Sequence, residues 1–118
     1  MNGENDLILD SNVLAELQDL LPKPLFDEHL SLYIQELKSD SDSLLKIATE
    51  LDRASFTKHV HRMAGSAAVF GAVNLRTRLL KLESALPKMK AEELFKECTQ
   101  LQNLAEVNIT ELEAVLAQ

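Results

Sequence analysis

Residues 56–87 read FTKHVHRMAGSAAVFGAVNLRTRLLKLESALP, and their apolar spacing decides the fold. Phe56, Val60, Met63, Ala67 and Phe70 recur at three- and four-residue intervals, the period of a helix with one face in a core. Gly71 is placed to end that helix, because glycine takes the left-handed turn that other residues resist. Asn74 is the expected cap of a following helix that carries Leu75, Leu79, Leu82 and Leu86 inward, and Pro87 closes it. Two amphipathic helices joined by so short a link are expected to be antiparallel neighbours.

The same period extends outward in both directions. Asp10-Ser11-Asn12 offers caps for a short helix with Leu14, Leu17 and Leu21 inward, stopped by Pro22 and Pro24. A helix beginning near Pro24 carries Phe26, Leu30, Tyr33 and Leu37. The polar run Ser39 to Ser43 is expected to bend or recap the chain before a third apolar face of Leu44, Ile47, Ala48 and Leu51. Ser55 is the expected cap of the helix from Phe56 to Phe70. Beyond Lys90 one long helix runs through Leu94, Cys98, Leu101, Ala105 and Leu112. No stretch sustains the alternation of a half-buried strand. The chain therefore reads as all-α: an antiparallel four-helix bundle with one or two short accessory N-terminal helices, residues 1–9 forming a flexible leader and 10–118 the domain.

Composition narrows the function. At 118 residues the chain suits one domain with a core of its own, and its single cysteine, Cys98, excludes a disulfide framework and a cysteine-built zinc site. Glu4, Asp6 and Asp10 stand where a signal peptide needs positive charge, and no apolar run approaches a membrane span, so a soluble, cytoplasmic protein is expected. The net charge of −7 argues against nonspecific binding to nucleic acid or an anionic membrane. That total hides an asymmetry. Arg53, Lys58, Arg62, Arg76, Arg78 and Lys81 form a segment without one carboxylate, +6 within a chain that is otherwise −13. Chance clustering on solvated helix faces is the plain alternative.

On a helical wheel with Phe56 at the origin, Val60, Met63, Ala67 and Phe70 fall within about 40° and mark the core face. His61, five residues on, points well away from that face, and so do Gly65, Ala68 and, if the helix reaches that far, Ala72; Ala64 falls between the two sides. An outward stripe normally carries long charged residues, whereas this one is small around a histidine. A mid-helix glycine costs about 1 kcal/mol relative to alanine, so something should compensate at Gly65. Either another helix of the same molecule approaches closely there, or a partner does. An unprotonated imidazole is a competent nucleophile near neutral pH. Without a nearby Ser, Cys or carboxylate partner it is poorly set up for acyl transfer and well set up to accept a phosphoryl group, which mainly requires positioning and positive charge. Lys58 and Arg62, at i−3 and i+1, supply that charge, and no carboxylate follows until Glu83.

His61-Arg62-Met63-Ala64-Gly65-Ser66-Ala67, followed by Phe70-Gly71-Ala72, Leu75 and Leu82-Glu83, resembles the histidine-containing phosphotransfer (HPt) domain of multistep phosphorelays. The resemblance spans the chain in length and helix order, with the specific motif confined to the stretch from His61 to Glu83. It implies an antiparallel four-helix bundle with an exposed histidine, His61, phosphorylated on its distal ring nitrogen. It also implies a bacterial, cytoplasmic signalling protein, or a cytoplasmic domain of a membrane-bound sensor kinase, that needs no cofactor of its own. The implied partners are response-regulator receiver domains, which supply the phosphorylated aspartate and Mg²⁺, and a hybrid sensor histidine kinase; a monomer is expected. The family's lysine three residues after the histidine is Ala64 here, so Lys58 or Arg62 is expected to take its role. Ala64, Gly65, Ala68 and Ala72 are the expected docking face. No glycine-rich loop could hold ATP, so the chain reads as a phosphohistidine carrier rather than a stand-alone enzyme.

Two readings compete. The first is a helical adaptor that docks a partner on the face around Gly65 without chemistry. The second, a metal-dependent bundle enzyme, lacks the Glu-x-x-His pairs such sites use. His59 and His61, at i and i+2, cannot chelate one metal from a regular helix, and His59 is expected to be packed and hydrogen-bonded. His29 reads as surface, Cys98 as a buried inert thiol, Phe70 as a core anchor and Ser66 as bonded to its own helix backbone.

Overall fold

The computed structural model describes residues 7–50 and 52–118, and among them there are six α-helices and no strand. They are α1 (Ser11–Leu20), α2 (Lys23–Asp42), α3 (Leu44–Glu50), α4 (Arg53–Val69), α5 (Val73–Ala85) and α6 (Ala91–Leu116), with a 3₁₀ turn at Leu86–Lys88. Helices α2, α4, α5 and α6 form the bundle: α4 packs on α5 and α2 on α6, while α3 bridges to α6 and α1 lies against α2. The four-helix expectation holds, with α1 and α3 as the accessory pieces. The leader expected over 1–9 lies outside the described residues up to residue 6, and Leu9 packs against the core. Leu51, expected on the third apolar face, also lies outside the described residues.

Caps and proline explain several helix limits. The Asp10 carboxylate accepts from the Asn12 backbone N–H at 2.9 Å and starts α1. Pro24 sits in the first turn of α2, where its missing N–H leaves no bond unmade. The Ser39 to Ser43 run does not break α2 early; the helix continues to Asp42 and only Ser43 leaves it. Helix α4 begins earlier than expected, because Asp52 rather than Ser55 is the cap. Its carboxylate accepts the Ser55 N–H at 2.7 Å, and this bond holds its pKa below the ordinary value. Asn74 caps nothing either, since α5 starts at Val73.

The turn between α4 and α5 positions the site. Gly71 has φ +68°, the Ala72 N–H reaches back to the Ala67 carbonyl at 2.9 Å, and the Gly71 N–H to that of Ala68 at 3.3 Å. This is the Schellman closure, in which glycine in the left-handed region satisfies the last helix carbonyls and reverses the chain. A Cβ on Gly71 would come within 2.9 Å of the Asp10 carbonyl oxygen, and the Asp10 N–H donates to the Gly71 carbonyl at 2.7 Å. The start of α1 is thus seated directly on the hairpin turn.

The core is chiefly leucine: Leu30, Leu44, Leu75, Leu79, Leu82, Leu86, Leu101 and Leu112 are fully buried, with Phe56 and Val60 from α4. Truncating one such leucine to alanine costs about 2–5 kcal/mol. Phe70 anchors the end of α4, stacked on Tyr33 with ring centroids 4.7 Å apart. Cys98 is buried as expected, and burial pushes its thiol up to about 11, which keeps it unreactive.

Candidate functional site

His61 lies in the middle of α4 with its side chain 71% exposed. Its Nδ1 is 3.0 Å from both carboxylate oxygens of Glu83, on α5. A carboxylate only accepts hydrogen bonds, so Nδ1 carries the proton in this contact, and the lone pair of the unprotonated ring is then on Nε2. One nitrogen is anchored and oriented; the other faces outward. In the sequence Glu83 stands out as the carboxylate that ends the basic run and as part of the Leu82-Glu83 pair of the motif, with no role read for it. Its pairing was available from the hairpin, because His61 and Glu83 each stand eleven residues from Ala72 and so meet across an antiparallel turn.

Gly65, one turn further on, is exposed, and an added Cβ would find nothing within 4 Å. The explanation by close approach of another helix of this chain is therefore removed for the described residues. Ala68 and Val69 are exposed beyond it. Ala64 and Ala72, expected on the same docking face, are buried instead. Ala64 is on the flank of α4 that α5 covers, and Ala72 follows the Schellman turn, so it no longer continues the helical wheel but tucks into the core.

The two candidate cations part company. Lys58 is exposed one turn before His61 and makes no side-chain hydrogen bond or ion pair among the described residues. Arg62 points the other way, toward α2, where its guanidinium donates to Glu36 at 3.0 Å and Asp40 at 2.9 Å. The bond to Asp40 raises its pKa above the ordinary arginine value. Arg62, expected with Lys58 as a candidate cation for the phosphoryl group, is instead engaged in tying α4 to α2. Ser66 joins this clasp by donating to Glu36 at 3.2 Å, rather than to its own helix backbone.

His59 is packed as expected but only half satisfied. Its Nδ1 is 3.3 Å from the Arg62 guanidinium, and its Nε2 is buried without a partner, 4.0 Å from Asp40. Desolvation lowers its pKa, Asp40 opposes that shift, and Arg62 adds to it. Beside the clasp, a shallow groove of about 220 Å³ runs between α2 and α4, lined in part by His29, Leu32, Glu36, Ser66 and Val69. Leu32 and Val69 are each more than half exposed along it.

A helical bundle that holds one histidine in mid-helix, with Nδ1 fixed by a neighbouring helix and Nε2 open above small residues, defines a histidine-presenting module. The family model of the Hpt domain matches residues 28–118, and the chain belongs to that family. Its general role is histidine phosphotransfer in phosphorelays, and Hpt domains interact there with response-regulator receiver domains. Comparison with curated proteins and with solved structures found no match. No helix among the described residues is long and apolar enough to cross a membrane.

Proposed function

We propose that His61 accepts a phosphoryl group from the phosphorylated aspartate of one receiver domain and passes it to the aspartate of another. Nε2 attacks phosphorus, the bond from phosphorus to the aspartyl oxygen breaks, and the carboxylate leaves; the second transfer is the reverse with a new carboxylate as nucleophile. As the N–P bond forms the ring gains positive charge, which the Glu83 carboxylate at Nδ1 stabilises while holding the ring in place. Lys58, uncommitted and one turn away, is the cation for the phosphoryl oxygens in place of the lysine absent at Ala64. The receiver brings Mg²⁺, seats against Gly65 and Ala68, and extends toward Leu32 and Val69. The reading carries a cytoplasmic location with it.

The observation that carries this reading is the pairing of an anchored Nδ1 with an outward Nε2 above an unfilled glycine. The test is incubation with a phosphorylated receiver and Mg²⁺. Acid-labile, base-stable label is expected on the wild type and absent from His61→Gln. Label that persists in His61→Gln assigns the chemistry elsewhere, and no label with several receivers returns the adaptor reading.

A further inference from the structure

Three of the six cations between Arg53 and Lys81 are engaged by partners within the chain. Arg53 donates to the carbonyls of Leu86 and Met89, Arg62 to Glu36 and Asp40, and Arg78 to Glu97 and Gln100. Lys58, Arg76 and Lys81 have no side-chain hydrogen bond or ion pair among the described residues, and all three are exposed. Helical geometry separates the two on α5. Arg76 is seven residues from Glu83 and so lies within about 20° of it around the helix, whereas Lys81 is turned away from Glu83 by about 160°. Arg78, nearer to Lys81 around the helix, faces α6 through Glu97 at 2.6 Å, which fixes that side as the one remote from α4.

The hairpin sets the level of each residue. Since His61 meets Glu83, Arg76 stands level with Ala68, about 10 Å along the helices from the imidazole. Leu80, between Glu83 and Arg76 on the same edge, is 36% exposed. The strip outside the hairpin therefore has His61, Gly65 and Ala68 on α4 beside Glu83, Leu80 and Arg76 on α5. Because α4 contributes only small side chains below His61, Arg76 stands proud of the strip with an unpaired charge.

We propose that Arg76 is a docking residue for receivers, pairing with a carboxylate at the rim of the receiver's phosphoaspartate site. The inference rests on the reading of His61 as acceptor from a receiver. A site that holds Mg²⁺ does so through carboxylates and is acidic around them, and the arginine fork matches a carboxylate in two parallel hydrogen bonds. At two helical turns from Nε2, Arg76 does not touch the transferring group. Its effect falls on recognition and leaves the chemical step alone.

The experiment measures transfer from a phosphorylated receiver at varied receiver concentration, with the full chain and with Arg76→Glu and Lys81→Glu, which change the net charge equally. Circular dichroism melts check that each variant is folded. For Arg76→Glu the receiver concentration at half-maximal rate is expected to rise roughly threefold to tenfold, with the saturated rate kept and the difference shrinking at high salt. Lys81→Glu is expected to stay close to wild type. Equal effects of the two substitutions, or a fall in the saturated rate alone for Arg76→Glu, overturn the assignment. A wild type that takes no phosphoryl group from any receiver overturns the functional reading itself, a result distinct from normal transfer that is indifferent to Arg76.

Discussion

The two flanks of α4 are built on opposite lines. Toward α2, Arg62, Ser66 and His59 meet Glu36 and Asp40 in a continuous polar clasp. On the outward side next to α5, His61 has its bond to Glu83, and the surface beyond it is glycine and alanine. The closed flank holds the helix in position against the bundle, so the imidazole sits on a rigid support. The open side gives a partner room to reach Nε2. A histidine that must be both fixed and accessible needs this division, and a cation is useful to the chemistry only on the open side.

The largest expected effect comes from filling the open side. Gly65→Leu should reduce transfer below detection, because the branched side chain would occupy the space into which the proposed function seats a receiver. The fold should not suffer: nothing lies within 4 Å of the new Cβ, and replacing a mid-helix glycine contributes up to about 1 kcal/mol of stability. A melting temperature at or above that of the wild type, measured alongside the lost transfer, separates steric blocking from misfolding. Transfer at the wild-type rate would remove this face from the docking account.

Next in size is the contact that anchors the ring. Glu83→Ala frees Nδ1 and should slow single-turnover transfer by roughly 10–100-fold, the usual effect of removing a partner that orients a working imidazole. Glu83→Gln keeps an acceptor at Nδ1 and should recover most of the rate. Equal rates for wild type and Glu83→Ala would show that the hydrogen bond is structural decoration of an exposed ring. Because His61 is largely exposed, neither substitution should move the thermal midpoint much.

Lys58 and Arg62 allow a crossed comparison. Lys58→Ala should slow transfer about tenfold, the equivalent of one hydrogen bond to a charged group, and leave stability unchanged. Arg62→Ala should do the reverse, lowering stability by about 0.5–1 kcal/mol, a modest figure because the guanidinium is half exposed, with transfer close to normal. Denaturant midpoints and transfer rates of the same two proteins decide the matter. If Arg62→Ala is the slow one, the clasp must open during transfer.

The helix order and the outward direction of His61 were legible in the sequence because both follow from periodicity and from residues with one strong conformational preference, such as Gly71, Pro22 and Pro87. What escaped depends on contacts between helices. A wheel drawn for α4 alone places Ala64 near the edge of the core, and only the arrival of α5 covers it. It also carries Ala72 past Gly71, where the real chain has already turned. Arg62 looked like a companion of His61 because it is next in sequence, yet adjacent helix residues point about 100° apart, and its partners are on α2. Asp52 outcompeted Ser55 as a cap because its carboxylate accepts the third N–H of the helix and carries a full charge toward the positive end of the dipole.

The smallest effect expected lies within the closed flank and depends on pH. Desolvation lowers the pKa of His59 in the folded protein, so the unfolded chain takes up a proton there at a higher pH than the folded one does. The stability this contributes is fully present above the unfolded value, near 6.5, and is lost as pH falls from there toward the lower folded value. Asp40, 4.0 Å from Nε2, opposes the shift, which keeps the effect small. Denaturant midpoints at pH 7.5 and 5.5 should show a decline in the wild type that is reduced in His59→Asn, a side chain that does not titrate. If both proteins lose the same stability over this interval, other groups carry the pH dependence, and the clasp is indifferent to the charge of His59. A decline confined to the wild type would mean that the flank closed by Arg62 tolerates one cation beside Asp40 but not two.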